Sequence, residues 1–393
     1  MFKGLCRLTS VAALVCSTFS TALWAESGKQ VYTGTLGKTP IVLEVDAGSA
    51  DDVGGRYFYQ KYRKDLMLSG KKDGETLVLD EAPLRGYQDA PHPTIRLQPK
   101  PDGWSGEWRS PEGKVLKVDL QQANIAPTPA ATVPFLTTLR DQSPYEYLRL
   151  KGLDLKKGKA ETFMGHSLQW WIEPTSETTL FEVMSGYTAA ERQRINQQLM
   201  GRMWQEVAGK FDCEASAGET FYAQTVEPLW VGPSTISVSI ATEYSCGGAY
   251  SDENDMPLNL DVKTGKTLTL EDVLWLGQGK PLHYEREYND ATPSSESYDA
   301  YSDYRTKTLA PWLVQQLSAL YPDEMKTTTE REDGCIYGEE QPWTYPSWYF
   351  TKSGIKLVPS FPHISSMCRD TAFSVLPYKL IQQHPGSAAL QLP

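Results

Sequence analysis

Gly54–Ala82 reads GGRYFYQKYRKDLMLSGKKDGETLVLDEA, and its pattern sets the character of the first third of the chain. Short apolar or alternating runs are broken by turn residues, and Lys72-Asp73-Gly74 suits a tight hairpin. In an extended chain Tyr57 and Tyr59 share one face while Phe58 takes the other. The same texture continues outward through VYTGTLG from 31, PIVLEVDA from 40, TIRLQPK from 94, GWSGEWRS from 103 and KVLKVDLQQ from 114. Pro101-Asp102-Gly103 and Pro111-Glu112-Gly113 supply further turns. Residues 28–122 are therefore expected to form an all-β antiparallel meander or small up-and-down barrel. Its rings Tyr57, Phe58, Tyr59, Tyr62, Trp104 and Trp108 either fill the core or line a glycan groove, and alternation assigns one set to the core.

Ile125–Pro134, IAPTPAATVP, carries three prolines among small residues. Proline removes ladder donors and extends the backbone, so 123–134 reads as a linker. Beyond it, residues 135–385 mix periods and are expected to form an α+β domain, an antiparallel sheet with two main helices. Thr188-Ala189-Ala190-Glu191 forms a capping box ahead of Ile195, Leu199, Met203 and Val207, which predicts a helix over 189–209. A second helix is expected over Tyr301–Tyr321, with Pro311 kinking it or marking its start. Strand signals lie at TFYAQTVEPLWV from 220, STISVSIATEYSC from 234, and MPLNLDVKTGKTLTL from 256, where a tight turn at Val262–Lys266 precedes a Thr-rich strand. SWYFTKSGIKLVPSF from 347 reads as a hairpin about Ser353-Gly354, and AFSVLPYKLI from 372 as a last strand.

The first 25 residues, MFKGLCRLTSVAALVCSTFSTALWA, place Lys3 and Arg7 before an apolar run with small residues near its end, the order of a secretory signal peptide. Ser17, Thr18, Ser20 and Thr21 interrupt that run, which is shorter and more polar than the roughly 20 residues a spanning helix needs. Cleavage after Ala22 or Ala25 would leave a chain without a stable membrane span, in the periplasm or secreted. It would carry 36 basic and 49 acidic side chains. That excess repels phosphate backbones, which argues against nucleic acid, and favours basic partners. Cys213, Cys246, Cys335 and Cys368 remain, an even number for an oxidising compartment, so two disulfides are expected. Three connectivities are open; pairing within local units, Cys213 with Cys246 and Cys335 with Cys368, is preferred.

Motifs of chemistry are sparse. The five histidines, His92, His166, His283, His363 and His384, lack zinc-site spacing, and there is no nucleophile elbow or phosphate-cradling glycine loop. No catalytic residue, metal or cofactor is assigned. Acidic clusters stand at Ser251–Asp255, at Glu271-Asp272 and between Glu330 and Glu340. Adjacent acids in turns are expected to stay solvated, although a spaced carboxylate pair could do glycosidase work. Gly247-Gly248 either brings backbone close to a ligand beside Cys246 or forms a turn with positive φ. Gly247, Gly248, Tyr250, Asp252 and Glu253 are the candidate binding residues.

The ordered set CGGAY (246–250), LNLDVKTGKTLTLEDVL (258–274), WYFTKSGIKLVPSF (348–361) and FSVLPYKLI (373–381) resembles the RsiV-like extracytoplasmic domain family, a sensing domain also found beside the catalytic module of the peptidoglycan deacetylase PdaC. Ala249-Tyr250 stands where relatives commonly carry a histidine. The resemblance covers about residues 180–383, about half the chain, and implies a non-catalytic, ligand-sensing fold, with lysozyme recognition the known activity in RsiV. The function expected is thus a periplasmic sensor, inhibitor or immunity-type partner of a cationic cell-wall hydrolase such as lysozyme, or of another envelope protein. The alternatives are a glycan-acting enzyme using acidic loop residues and an envelope structural or assembly factor.

Overall fold

The computed structural model describes residues 28–81, 91–130, 132–214, 220–247, 251–284, 295–326 and 334–392; the expected signal peptide, Gly248, Tyr250 and the acids from Glu330 to Asp333 lie outside them. Eight strands come first: β1 (Lys29–Leu36), β2 (Thr39–Asp46), β3 (Val53–Tyr59), β4 (Asp65–Asp73), β5 (Thr76–Glu81), β6 (Thr94–Lys100), β7 (Gly103–Arg109) and β8 (Val115–Gln122). Each pairs antiparallel with the next, and β8 returns to β1, so the meander is a closed barrel. Alternate residues fill it, among them Ile41, Leu43 and Val45, Leu77 and Leu79, Ile95 and Leu97, Val118 and Leu120. Strands coil so tightly that a Cβ on Gly106 would fall 1.8 Å from the Arg96 carbonyl oxygen. The run from 54 to 70 is two strands, because the chain reverses after Tyr59 and Arg63 takes a positive φ.

Tyr57 points into the barrel, while Phe58, fully buried as well, points outward. What covers Phe58 is helical: α1 (Pro134–Gln142) and α2 (Pro144–Leu150) each begin on a proline, whose missing amide costs nothing in the first turn. Tyr145 of α2 packs edge-on against Phe58, with Val42 alongside. Around them Arg149, with no exposed surface, pairs with Asp65 of β4 at 2.6 Å and with Glu146 at 2.9 Å; Arg56 of β3 pairs with Glu146 at 3.0 Å and Asp65 at 3.2 Å. The Tyr145 hydroxyl donates to Asp65 at 2.7 Å.

In place of one sheet, the rest of the chain carries three small antiparallel ones. The first orders β9 (Lys156–Phe163), β10 (His166–Glu173) and β11 (Thr178–Val183) as β11-β10-β9. α3 (Ala189–Glu214) lies against it and runs five residues past its expected end. The capping box forms: Glu191 Oε2 accepts the Thr188 amide at 2.9 Å, and the Glu191 amide donates to Thr188 Oγ1 at 3.3 Å. Ile195, Leu199, Met203 and Val207 make the buried stripe. The second sheet joins β12 (Thr220–Val231), β13 (Thr235–Cys246), β14 (Asp252–Asp255) and β15 (Leu258–Asp261), the last two both pairing with β13.

The turn after Asp261 closes as expected, with the Gly265 amide on the Asp261 carbonyl, but the Thr-rich strand does not follow. Thr267 makes a single bridge to Leu260, and Thr269 with Asp272 then caps a short helix, α4 (Leu270–Val273). A cap satisfies local amides at once, whereas a strand would need a partner edge. α5 (Ser295–Tyr304), a π turn at Arg305–Leu309 and α6 (Ala310–Leu320) run on as one rod. The Ala310 amide reaches back to Arg305 O, a wide turn that makes room for Pro311 just after it. The third sheet is β16 (Ser347–Phe350), β17 (Gly354–Val358) and β18 (Val375–Pro377), after which the expected last strand turns into α7 (Tyr378–Gln383).

Glu271 corrects the expectation that the acidic pairs stay solvated. It is 1 % exposed and lies 2.6 Å from Arg305 Nε, because α4 turns it inward beneath the π turn. Cys213 is bonded to Cys246, tying the end of α3 to the end of β13, and Cys335 to Cys368. Among the described residues no helix is long and apolar enough to cross a membrane. The two bridges are those of a chain that folds in an oxidising, extracytoplasmic setting.

Candidate functional site

β13 turns Ile236, Val238 and Ile240 to the core and Ser237, Ser239, Ala241 and Glu243 to the other face. On that second face the third sheet stands edge-on. Ser237 Oγ accepts the Phe350 amide at 2.9 Å and donates to Asn259 Oδ1 at 2.5 Å, while Asn259 Nδ2 donates to the Trp348 carbonyl at 2.8 Å. These buried side chains satisfy the edge of β16 and hold the two sheets at an angle. Beyond the stitch the sheets diverge, and a cleft of about 1020 Å³ opens between the β12–β13–β14 face and the β16–β17 hairpin.

The hairpin repeats the alternation. Trp348, Phe350, Ile355 and Leu357 enter the core, so Tyr349 and its cross-strand neighbour Lys356 face the cleft. Glu243, Asp252, Glu253, Asp255 and Asp370 line it against two cations, Lys356 and Arg369. Burial pushes the Asp255 carboxyl up despite the Ser239 hydroxyl that donates to it at 2.9 Å. Burial, reinforced by Asp255 and Asp370, likewise raises the Tyr349 phenol. Desolvation lowers Lys356 to about 8, with Asp370 opposing. Its ammonium is nevertheless spoken for: it donates to the carbonyls of Thr371 and Phe373 and to Thr371 Oγ1. With three donors on three oxygens, Lys356 pins the turn that leads into β18, where Ser374 holds a φ of 71°. It is a brace and not an available nucleophile.

One lip of the cleft is a 3₁₀ strap, His363–Cys368. Cys368 anchors its end to Cys335, and Arg369 donates twice to the Phe361 carbonyl, at 2.9 and 2.6 Å. Arg369 also lies 3.5 Å from the Glu253 carboxylate, and His363 lies 3.6 Å from Asp252. So fastened, the strap presents Ile364 and Met367 to solvent, 87 % and 69 % exposed. Apolar side chains held out on a braced segment beside concentrated charge are features of recognition surfaces.

Of the candidate binding residues, Asp252 and Glu253 stand on β14 in the cleft wall. Gly247 follows Cys246 with a φ of 76°, the turn geometry weighed for it, while Gly248 and Tyr250 lie outside the described residues. Sequence reasoning missed Lys356, Arg369 and the strap; it read Asp255 only as part of the Ser251–Asp255 cluster and Tyr349 only as part of the aromatic run Trp343, Tyr345, Trp348 and Tyr349, weighed equally as a partner patch or as core. The signal for Tyr349 and Lys356 was present, as polar positions in an alternating hairpin. Among the described residues no group of three or more His, Cys, Asp or Glu is placed to hold a metal ion.

No protein-family model matches the chain, and no curated protein matches it. A solved crystal structure, that of a DUF3298 family member from Bacteroides fragilis, is similar over 60% of this chain and 94% of its own, at 14% identity and a TM-score of 0.33.

Proposed function

We propose that this chain is a non-catalytic binding protein of the periplasm or cell exterior whose cleft takes a basic protein, with cell-wall hydrolases of the lysozyme class as the intended partners. One observation carries the reading: five carboxylates and two cations line a cleft whose lip holds Ile364 and Met367 exposed on a disulfide-braced strap. A negative field of this kind steers a cationic surface into encounter, and apolar anchors at its edge supply contact once water is displaced. The resemblance of about residues 180–383 to the RsiV-like sensing domain supports the same class of partner, as does the acidic balance of the chain.

The test is retention of hen lysozyme on immobilised protein at low and high salt. Binding at low ionic strength that weakens as salt screens the cleft is the expected result. No retention in either condition removes this partner class.

A further inference from the structure

We propose that a groove beside β12, between β9, β10 and the Val226–Pro228 stretch, is a separate ligand site that takes an uncharged oligosaccharide. The groove measures about 630 Å³. Its origin is a fault in the strand ladder. Gln169 pairs with Ala160 and Trp171 with Lys157, so Gly158 and Lys159 together oppose Trp170. Such a bulge twists the ladder locally and re-aims side chains. The extra residue is in β9, so β10 keeps its alternation: Trp170, 8 % exposed, packs mainly into the core, while Trp171, partly exposed, lines the groove with Phe163.

The bulge is built rather than merely tolerated. Gln169, 7 % exposed, lies with its amide nitrogen 3.1 Å from the Gly158 carbonyl, 3.2 Å from that of Lys159 and 2.9 Å from that of Trp170. Those are the oxygens a broken ladder leaves over. Both indoles are also fixed: Trp170 donates to Glu161 at 2.7 Å and Trp171 to Glu182 at 2.8 Å. Lys159 sits 4.9 Å over the Trp170 ring, while Trp171 and Phe163 remain partly exposed.

The lining then decides the ligand class. Oriented rings suit the C–H face of a pyranose, and the carboxylates of Glu161 and Glu227 with the hydroxyls of Thr162 and Thr179 suit its O–H groups. Hydrogen bonds from Lys159 and Trp170 hold Glu161 below the usual carboxylate range, so it remains an acceptor. One cation against two carboxylates disfavours an anionic chain. The near balance also lacks the strong negative field that a basic partner would use at the cleft. An uncharged, hydroxyl-rich chain matches both features. This site does not depend on what the cleft binds.

Titration of the full chain with the β-1,4-linked hexamer of N-acetylglucosamine and with laminarihexaose, followed by tryptophan fluorescence and calorimetry, tests the assignment. A hexaproline peptide is the competing probe, since extended proline chains also dock on aromatic grooves. Saturable binding of at least one sugar at millimolar concentration is expected. Trp171→Ala should weaken it about tenfold, the loss of one stacked ring, whereas Trp171→Phe should stay within about threefold because a flat face remains. Glu227→Gln, an exposed change that does not threaten folding, should weaken it by about threefold. The proposal is overturned by no saturable signal with either sugar, by tighter binding of the proline peptide, or by sugar affinity unchanged in both Trp171→Ala and Glu227→Gln.

Discussion

The barrel and the remainder of the chain deal with charge in opposite ways. Residues 28–122 contain 14 acidic and 14 basic side chains, while residues from 123 onward contain 34 and 22. Barrel closure pairs each strand with its sequence neighbour, and the enclosed space is filled by alternating apolar residues. The later sheets are assembled from distant segments, and polar side chains join them. Ser237 and Asn259 stitch β13 and β15 to β16, and Glu271 meets Arg305 across 34 positions. A region closed by local pairing has little use for internal charge; one assembled from separated pieces uses some charges as buried joints and leaves others facing a cleft.

The largest expected effect lies where the two regions meet. Arg149→Ala would leave Asp65 and Glu146 buried with Arg56 as the one cation of this cluster beside them, and removing one member of a buried ion pair costs about 3–5 kcal/mol. Urea unfolding should register that loss. Asp73→Ala, which breaks an exposed pair with Arg96 on the barrel surface, should shift stability by less than about 1 kcal/mol. Equal effects would erase the contrast between buried joints and surface pairs.

Next come the bridges, both of which lie outside the barrel. Each closes the same span of 33 residues, so chain entropy predicts a similar loss of about 3–4 kcal/mol when either is replaced by paired serines. If only the Cys335–Cys368 variant also loses binding of a basic protein, the strap is the recognition element.

A smaller effect follows acid. Burial would raise Asp272, but hydrogen bonds from Ser387, the Thr269 amide and His283 outweigh it and hold the carboxyl below its ordinary value. Its stabilising contribution is therefore complete above the unfolded aspartate value of about 3.9 and is lost as pH falls through the folded one. Asp272→Asn should flatten that acid limb in a series of unfolding midpoints. An unchanged acid limb would mean that the α4 cap is not an acid-labile joint.

How much of this was legible in the sequence follows the same division. The hairpins of the barrel could be read because turn and alternation lie within a few residues of each other, although closure of β8 onto β1 leaves no local mark. β12 and β13 were legible as long alternating runs, and α3 through its capping box and stripe. β9–β11 went unread, since Lys156–Phe163 is a polar edge whose own period is broken by the extra residue at Gly158-Lys159. Thr267–Leu270 looked like a strand because β-branched residues favour one, yet Thr269 and Asp272 formed a cap instead. Glu271 looked solvated because nothing local names Arg305 as its partner. The cleft was half visible: Asp252 and Glu253 stood out as a charge run, whereas the strap needed the fold to bring residues 361–370 against β14.

Hydrogen–deuterium exchange of the full chain with and without hen lysozyme at low salt tests the cleft most directly. New protection should concentrate on β14 and on residues 361–370, and should be absent from the barrel strands. Lysozyme binding that protects neither segment, or that protects the barrel instead, would contradict the account.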